Sequence, residues 1–170
     1  RGALSINRTC INLAKNWLVE RPQIKLIHIA GERDYEMVKN ATSEAPANYQ
    51  LLPYLHEMKE AFDAADLLIS RAGATILAEI AVCKKPAILV PFPHATDNHQ
   101  EKNARVLEEL GAARLLLDRE LSATKLAETI ESLQTGDTLA KMSEATAKSR
   151  PANVEDRILT QIAEVLTNIS

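Results

Sequence analysis

Residues 70–79, with the sequence SRAGATILAE, place a glycine turn before a potential helix, and such a turn can bind an anion. The apolar run 66–69 before it predicts a buried strand, and residues 76–82 after it can be helical. No proline lies between Ser70 and Lys85. The N–H groups of the first helical turn are therefore available, and the helix dipole favours negative charge beside them. A phosphate is the anion that this arrangement suggests.

Glu79 extends this interpretation, because it lies one helical turn beyond Thr75. A carboxylate there could accept hydrogen bonds from ribose hydroxyls without repelling a diphosphate on the first turn. The alternative is an ordinary strand-to-helix turn with a surface glutamate, in which Gly73 supplies only a backbone angle that other residues disfavour. Both interpretations are open at the level of the residues alone.

A second polar segment, residues 91–100 (PFPHATDNHQ), links an apolar run to a predicted helix. Polar loops on a rigid scaffold concentrate binding groups. His94, Asp97 and His99 suggest a metal, but the chain has no HExxH motif and no further ligand cluster, so a metal site is not predicted. Asn98, His99 and Gln100 are better suited to neutral hydroxyls, as on a sugar. Alternatively, Asn98 caps the following helix and its neighbours are solvated.

Several classes of site are excluded by composition. The five glycines form no GxG pair, and no Gly-Lys-Ser/Thr occurs, so the dinucleotide fingerprint and the P-loop are absent from these residues. No Ser/His/Asp or Cys/His arrangement can be proposed, no catalytic base is visible, and His28 is interpreted as a packed core histidine. The net charge of -3 is not the basic charge expected of a nucleic-acid-binding protein, so this class is not indicated.

Length and patterning predict one domain. The 170 residues suffice for a real core, and no run approaches the roughly 18 apolar residues of a membrane span. Cys10 and Cys83 lie in predicted helices without metal spacing, as expected of reduced, buried thiols. The start at Arg1 without Met suggests a fragment of something longer.

Strands and helices alternate along the chain. Strands are predicted near 25–30, 49–53, 66–69, 87–91 and 114–117, and helices near 5–20, 34–45, 56–62, 98–110 and 138–148. Ser122 and Asn153 can cap two more helices. This alternation predicts an α/β fold with a Rossmann-like, doubly wound parallel sheet flanked by helices, whose ligands bind beyond the carboxyl ends of the strands.

Six motifs in one order carry a family resemblance over nearly the whole chain. They are Arg1-Gly2-Ala3 with Asn7, then GERDY (31–35), YLHEM (54–58), SRAGATILAEI (70–80), KPAILVP (85–91) and NHQEKNA (98–104). Together they resemble the C-terminal domain of the MurG family, the peptidoglycan N-acetylglucosaminyltransferases that convert lipid I to lipid II. The resemblance implies the donor half of a two-domain GT-B glycosyltransferase that inverts the anomeric centre without a metal or other cofactor.

The resemblance also implies a donor site for UDP-GlcNAc. In it, the Leu55 backbone would bind uracil, Tyr54 and Met58 would line the base pocket, and Glu79 would hold the ribose. The turn at 73–76 would face the diphosphate and sugar, and His99 with Gln100 would bind GlcNAc hydroxyls. The full set of predicted donor-binding residues is Gly2, Tyr54, Leu55, Met58, Arg71, Gly73, Ala74, Thr75, Ile76, Glu79, His99 and Gln100.

Two departures from the family pattern concern this site. Ile76 stands where the family often has threonine, so only its backbone N–H could serve a phosphate. The pair His99-Gln100 replaces the Gln-Gln of many members. Gly2 belongs to what looks like the tail of the family's GGSxGA loop, whose start is missing.

The rest of the implied enzyme lies outside these residues. An N-terminal domain would bind lipid I, provide the catalytic base and make most of the membrane contact, placing the protein peripherally at the cytoplasmic face of the cell membrane. The chain alone is expected to be inactive. The helix within residues 151–170 is expected to pack toward that domain, so the chain alone could self-associate. The alternatives are an Alg13-type half-enzyme and a non-catalytic nucleotide- or partner-binding module.

Overall fold

The computed structural model describes residues 3–56, 58–95 and 98–148. Five strands alternate with helices along this part of the chain. The strands are β1 (Leu26–Ile29), β2 (Tyr49–Leu52), β3 (Leu68–Ser70), β4 (Ala87–Leu89) and β5 (Ala113–Leu115). The helices are α1 (Leu4–Asn12), α2 (Glu32–Ala41), α3 (Met58–Ala64), α4 (Ala74–Cys83), α5 (His99–Glu109), α6 (Ala123–Leu133) and α7 (Thr138–Lys148).

All described strand pairs are parallel, which confirms the predicted α/β class. β1 pairs with β2 in the register Leu26 to Tyr49, and β4 pairs on its two sides with β3 and β5. The described strands form two sheets, β1-β2 and β3-β4-β5, rather than one continuous sheet. One edge of β1 and one edge of β3 therefore have no partner among the described strands.

The first turns of α1 connect the two sheets. The Asn7 side chain donates to the carbonyl oxygen of Ala30, just after β1, at 3.0 Å. Ser5 Oγ accepts a hydrogen bond from Arg71, just after β3, at 2.8 Å. Because Ser5 and Asn7 both lie in the first turn of this helix, the carboxyl ends of both sheets are held close together.

The core lies on both faces of β4, and alternate residues of this strand enter opposite clusters. Ile88 and Val90 pack with α1 and α6, whereas Ala87 and Leu89 pack with α3, α4 and α5. All four side chains are fully buried. The strand predicted over residues 87–91 is thus confirmed but is shorter, Ala87–Leu89, and it is covered on both faces, which is typical of a parallel sheet with helices on each side.

Helix boundaries follow local chemistry. α1 continues as a π-helical turn (Leu13–Trp17) and a 3-10 turn (Leu18–Glu20), so the predicted helix over 5–20 is one segment of three types. α2 begins at Glu32, after Gly31 at φ 80°, where glycine is favoured, and ends at Ala41, earlier than predicted. The Ser122 cap is confirmed, because its hydroxyl accepts from the Lys125 N–H at 3.1 Å.

Other expectations have mixed outcomes. Cys10 is buried as predicted, whereas Cys83 is only half-buried at the end of α4. Glu101 and Arg105 form an ion pair one turn apart on α5. The predicted helix beginning at Asn153 lies outside the described residues. None of the helices in the described part of the chain is long and apolar enough to cross a membrane.

Candidate functional site

The N-terminus of α4 is open at the carboxyl end of β3. Gly73 occupies the N-cap position, and no side chain caps the helix. Among the described residues, no group accepts a hydrogen bond from the N–H of Ala74, Thr75 or Ile76. Ala74 and Thr75 are exposed and Ile76 is half-buried. Unpaired N–H groups at the positive end of a helix dipole provide a site for an anion.

Gly73 itself has φ -71° and ψ 152°, which any residue adopts. The alternative interpretation, that glycine is present to supply an unusual backbone angle, is therefore wrong. A Cβ built at Gly73 would meet no atom within 4 Å. Neither the backbone nor the packing of the described residues requires a glycine here, and the space beyond its Cα is open to a ligand.

Glu79 lies on α4 one turn beyond Thr75 and is half-buried. Its carboxylate makes no hydrogen bond or ion pair with any described residue. A carboxylate without a protein donor retains its full capacity to accept hydrogen bonds from a ligand.

Gln100 links the two polar loops of the site. Its side-chain oxygen accepts from the backbone N–H of Ala72 at 3.3 Å and from that of Phe92 at 3.0 Å. His99, the first residue of α5, is exposed beside it. Asn98 adopts φ 55° and donates to Glu101 at 2.9 Å instead of capping the helix through its side chain. The alternative in which the Asn98 side chain caps α5 is therefore wrong.

Tyr54, which is predicted to line the base pocket, lies in the loop beyond β2. Tyr54 is exposed, and with Glu32, Pro53 and His56 it lines an open depression of about 530 Å³. The Tyr54 and His56 rings pack edge to face with their centroids 5.1 Å apart. This depression lies beyond the carboxyl ends of β1 and β2, where ligands of parallel sheets bind.

Three other predicted donor-binding residues do not line this depression in the structure or lie outside its described part. Leu55 is half-buried in the loop after β2. Met58 begins α3 and packs against the core cluster that contains Phe62. Gly2 lies outside the described residues.

Arg71 points into the protein. Its guanidinium donates to Asp118 Oδ1 at 2.5 Å, to Ser5 Oγ at 2.8 Å, and to the carbonyl oxygens of Val90 and Pro91 at 3.1 and 3.2 Å. It also lies over the Phe92 ring, 5.5 Å from the centroid. Its Nε is buried without a partner among the described residues. Arg71 therefore holds loops together, and its terminal donors are directed at protein acceptors.

Asp118 completes this network after β5. Its carboxylate also accepts from Ser5 Oγ at 2.6 Å. Burial alone would raise the pKa of Asp118, but the hydrogen bonds from Ser5 and Arg71 and the positive charge of Arg71 outweigh burial, so the pKa is lowered. Asp118 is thus an anion balanced by Arg71.

A second hydrogen-bond network passes through His28 near the carboxyl end of β1. The buried His28 contacts the Tyr49 hydroxyl through Nδ1 at 2.8 Å and Asn7 Oδ1 through Nε2 at 3.0 Å. Asn7 also donates to Asp34 at 3.1 Å. Burial lowers the pKa of His28 to about 4. The interpretation of His28 as a packed core histidine is confirmed.

Comparison with known proteins shows the family of this chain. Residues 1–158 match the family model described as the glycosyltransferase family 28 C-terminal domain. The chain belongs to glycosyltransferase family 28. The resemblance to MurG is also confirmed, because a crystal structure of MurG from Acinetobacter baumannii superposes with a TM-score of 0.77 at 27% identity, covering 96% of this chain and 49% of that one.

Curated relatives of this family 28 domain share one name, UDP-N-acetylglucosamine--N-acetylmuramyl-(pentapeptide) pyrophosphoryl-undecaprenol N-acetylglucosamine transferase. The Carboxydothermus hydrogenoformans protein is 43% identical over 149 residues, which are 87% of this chain and 40% of the relative. The Oenococcus oeni protein is 37% identical over 169 residues, covering 97% and 45%. The family 28 domain therefore spans less than half the length of these relatives.

Sequence reasoning missed two side chains beside the candidate site, Ser5 and Asp118, which both contact Arg71. Both positions carry a signal: Asp118 directly follows the last predicted strand, and Ser5 lies in the first turn of a predicted helix. The rule that ligand sites gather at the carboxyl ends of parallel strands could have drawn attention to Asp118. Among the described residues, no group of three His, Cys, Asp or Glu side chains is arranged to hold a metal ion.

Proposed function

We propose that this chain binds UDP-GlcNAc and forms the donor half of an enzyme that transfers GlcNAc to lipid I, making lipid II for peptidoglycan. The observation that carries the proposal is the open N-terminus of α4 with the unengaged Glu79 carboxylate one turn away. The shared name of the curated relatives, which specifies an N-acetylglucosamine transferase, supports the choice of nucleotide and sugar.

In the proposed complex, the diphosphate lies against the N–H groups of residues 74–76. Glu79 accepts hydrogen bonds from the ribose hydroxyls. The uracil occupies the depression beside Tyr54, near the backbone of Leu55 and the side chain of Met58. At the other end, His99 and the amide nitrogen of Gln100 bind the sugar hydroxyls. Arg71 supports this site from behind, since its terminal donors are directed at protein groups.

The proposed chemistry is a direct displacement at the anomeric carbon. Negative charge develops on the UDP leaving group as the glycosidic bond breaks, and preorganised N–H groups at a helix terminus stabilise that charge. In this proposal the α4 N-terminus supplies the stabilisation without a metal or cofactor. The acceptor hydroxyl, the base that deprotonates it and most membrane contact at the cytoplasmic face belong to the remaining part of the full-length protein.

Calorimetric titration of the chain with UDP, UDP-GlcNAc and UDP-glucose tests the proposal. We expect UDP to bind and UDP-GlcNAc to bind more tightly than UDP-glucose. Absence of any UDP binding would contradict the proposal and favour a partner-binding module. The 170-residue chain is not expected to transfer GlcNAc to a lipid I analogue by itself, so robust transfer would contradict the division of labour proposed here.

A further inference from the structure

Four separate segments of the chain meet at the Arg71 guanidinium, which is paired with Asp118. Asp118 accepts from Ser5 in the first turn of α1 and from Arg71 in the loop between β3 and α4. Through Arg71, it is also connected to the carbonyl oxygens of Val90 and Pro91 at the end of β4. Ser5, Arg71 and Asp118 form a closed triangle, because Arg71 also donates to Ser5 at 2.8 Å.

This triangle joins two helix N-termini. Ser5 is the second residue of α1, and Arg71 precedes Gly73, the N-cap of α4, by two positions. The two helix starts therefore cannot separate or rotate freely while the triangle is intact. Arg71 and Asp118 are 17% and 20% exposed, so water competes only weakly for these hydrogen bonds.

We propose that Asp118 is a positioning residue for the diphosphate. By holding Arg71 and Ser5, it fixes the N-terminus of α4 relative to α1, and so fixes the direction in which the N–H groups of residues 74–76 face the diphosphate. This inference rests on the proposed function, because it assumes that a diphosphate binds at the α4 N-terminus. Asp118 itself does not touch the ligand.

A second consequence concerns the charge of Arg71. Asp118 neutralises this arginine and directs its donors inward, so that Arg71 shapes the loop instead of binding the phosphate directly. If the arginine instead acted on the diphosphate, removing the charge of Asp118 would release it and strengthen binding. The two roles therefore predict changes of opposite sign.

The test compares UDP with uridine, because only UDP carries the diphosphate. The measured quantity is the Kd for uridine divided by the Kd for UDP, for the wild-type chain and for Asp118→Asn. We expect this ratio to fall about tenfold or more in the variant, as misplaced groups typically cost. Uridine affinity should fall much less, since the base contacts lie on the loop after β2 and Glu79 lies one turn further along α4 than the N–H groups that face the diphosphate.

Glu131→Gln is the matched control. The Glu131 carboxylate also accepts from one neutral donor and one arginine, Trp17 at 2.7 Å and Arg21 at 2.6 Å, but it lies on α6 away from the strand ends. A merely structural role for Asp118 would lower the melting temperature of both variants and leave both ratios at the wild-type value. An unchanged or increased ratio in Asp118→Asn would overturn the proposal.

Ser5→Ala provides a second, milder variant that leaves the Arg71 to Asp118 ion pair intact. It removes one corner of the triangle, and we expect the ratio to fall about fivefold, the usual effect of one lost hydrogen bond. If Asp118→Asn does not fold, this variant decides: an unchanged ratio would overturn the inference. A wild-type chain that binds UDP no better than uridine would instead contradict the proposed function.

Discussion

The side-chain oxygen of Gln100 accepts a hydrogen bond from the backbone N–H of Phe92 at 3.0 Å. The same oxygen accepts from the Ala72 N–H at 3.3 Å, so one atom joins the loops that follow β3 and β4. This arrangement fixes the orientation of the amide, because only its oxygen can accept from two N–H groups. In the proposed complex, the amide nitrogen is the atom of Gln100 that remains available to donate a hydrogen bond to the sugar.

Gln100→Glu should separate these two roles. A carboxylate can still accept from Ala72 and Phe92, so the fold should be retained, but it cannot donate to a sugar hydroxyl and adds negative charge near the diphosphate. We expect UDP-GlcNAc affinity to fall by about tenfold or more, consistent with loss of a hydrogen bond and added repulsion. Calorimetry with UDP-GlcNAc and UDP measures this effect. Equal affinity of wild type and variant for UDP-GlcNAc would show that Gln100 is only a link between loops.

Glu79→Ala should weaken UDP binding and leave folding intact. Hydrogen bonds to a charged group are worth about 1.5–3 kcal/mol, so we expect a loss of at least about tenfold in UDP affinity. The sharpest measurement uses 2′-deoxy-UDP beside UDP. Wild type should prefer UDP. The variant should bind the two nucleotides almost equally, because it lacks the carboxylate that accepts a hydrogen bond from the 2′-hydroxyl.

Glu109→Ala is the control for this experiment. Glu109 is an exposed glutamate at the end of α5, and its side chain makes no hydrogen bond to a described residue. It should reproduce the change in net charge without a change in the preference for UDP over 2′-deoxy-UDP. If Glu79→Ala and Glu109→Ala show the same preference for UDP over 2′-deoxy-UDP, Glu79 does not bind the ribose.

Gly73→Ala tests the open space at the start of α4. The backbone angles suit alanine, and its Cβ would meet no atom within 4 Å, so we expect the free energy of unfolding to change by no more than about 1 kcal/mol. UDP affinity should fall, because the methyl group would occupy the space through which a diphosphate approaches the backbone. Thermal unfolding and UDP titration of the same sample check both halves. A folded variant with undiminished affinity would place the diphosphate elsewhere.

Local signals in the sequence predicted much of the fold, and the failures have physical causes. The apolar run 87–91 specified a buried strand, and Ser122 specified a helix start, because both depend on neighbouring residues. The triangle at Asp118 could not be read in this way, since Ser5 and Asp118 are separated by 113 positions. The role of Asn98 was ambiguous for another reason. Its side chain can either accept a hydrogen bond from the helix backbone or donate one to Glu101, and in the structure it donates to Glu101.

His28 should make stability depend on pH. The Asn7 side-chain nitrogen donates to Ala30 and Asp34, so its oxygen accepts a hydrogen bond from His28 Nε2–H. His28 Nδ1 then accepts a hydrogen bond from the Tyr49 hydroxyl. The neutral ring satisfies both partners, and burial lowers its pKa from 6.5 to about 4. Between pH 6.5 and about pH 4, His28 is protonated in the unfolded state but neutral in the folded state. The free energy of unfolding therefore decreases as the pH falls through this range, by up to about 3 kcal/mol.

Urea unfolding of wild type and His28→Gln between pH 7 and pH 4.5 measures this effect. The variant is less stable at pH 7, since it loses packing and hydrogen bonds, but its stability should vary less over this range. Staying above pH 4.5 limits the contribution of carboxylates such as Asp118, whose lowered pKa makes stability fall mainly at more acidic pH. Parallel curves for the two proteins would mean that His28 is not the group responsible.

The edges of β1 and β3 without a described partner predict an alternating pattern of amide hydrogen exchange. The N–H groups of Leu26, the first residue of β1, and of Ala30, just after β1, donate toward β2, to the carbonyl oxygens of Asn48 and Leu52. Since successive N–H groups of a strand point to opposite sides, those of Ile27 and Ile29 point to the other edge. By the same argument, Leu68 donates toward β4, to Pro86, and the Ile69 N–H points away from it.

We therefore expect the amides of Ile27, Ile29 and Ile69 to exchange at least about tenfold faster than those of Ala30 and Leu68, because no described strand pairs with them. Exchange followed by NMR on the 170-residue chain resolves these positions. Equal protection would mean that the edges are paired in solution. Dilution would then separate two explanations: protection that is lost on dilution comes from a second copy of the chain, and protection that persists comes from within the chain itself.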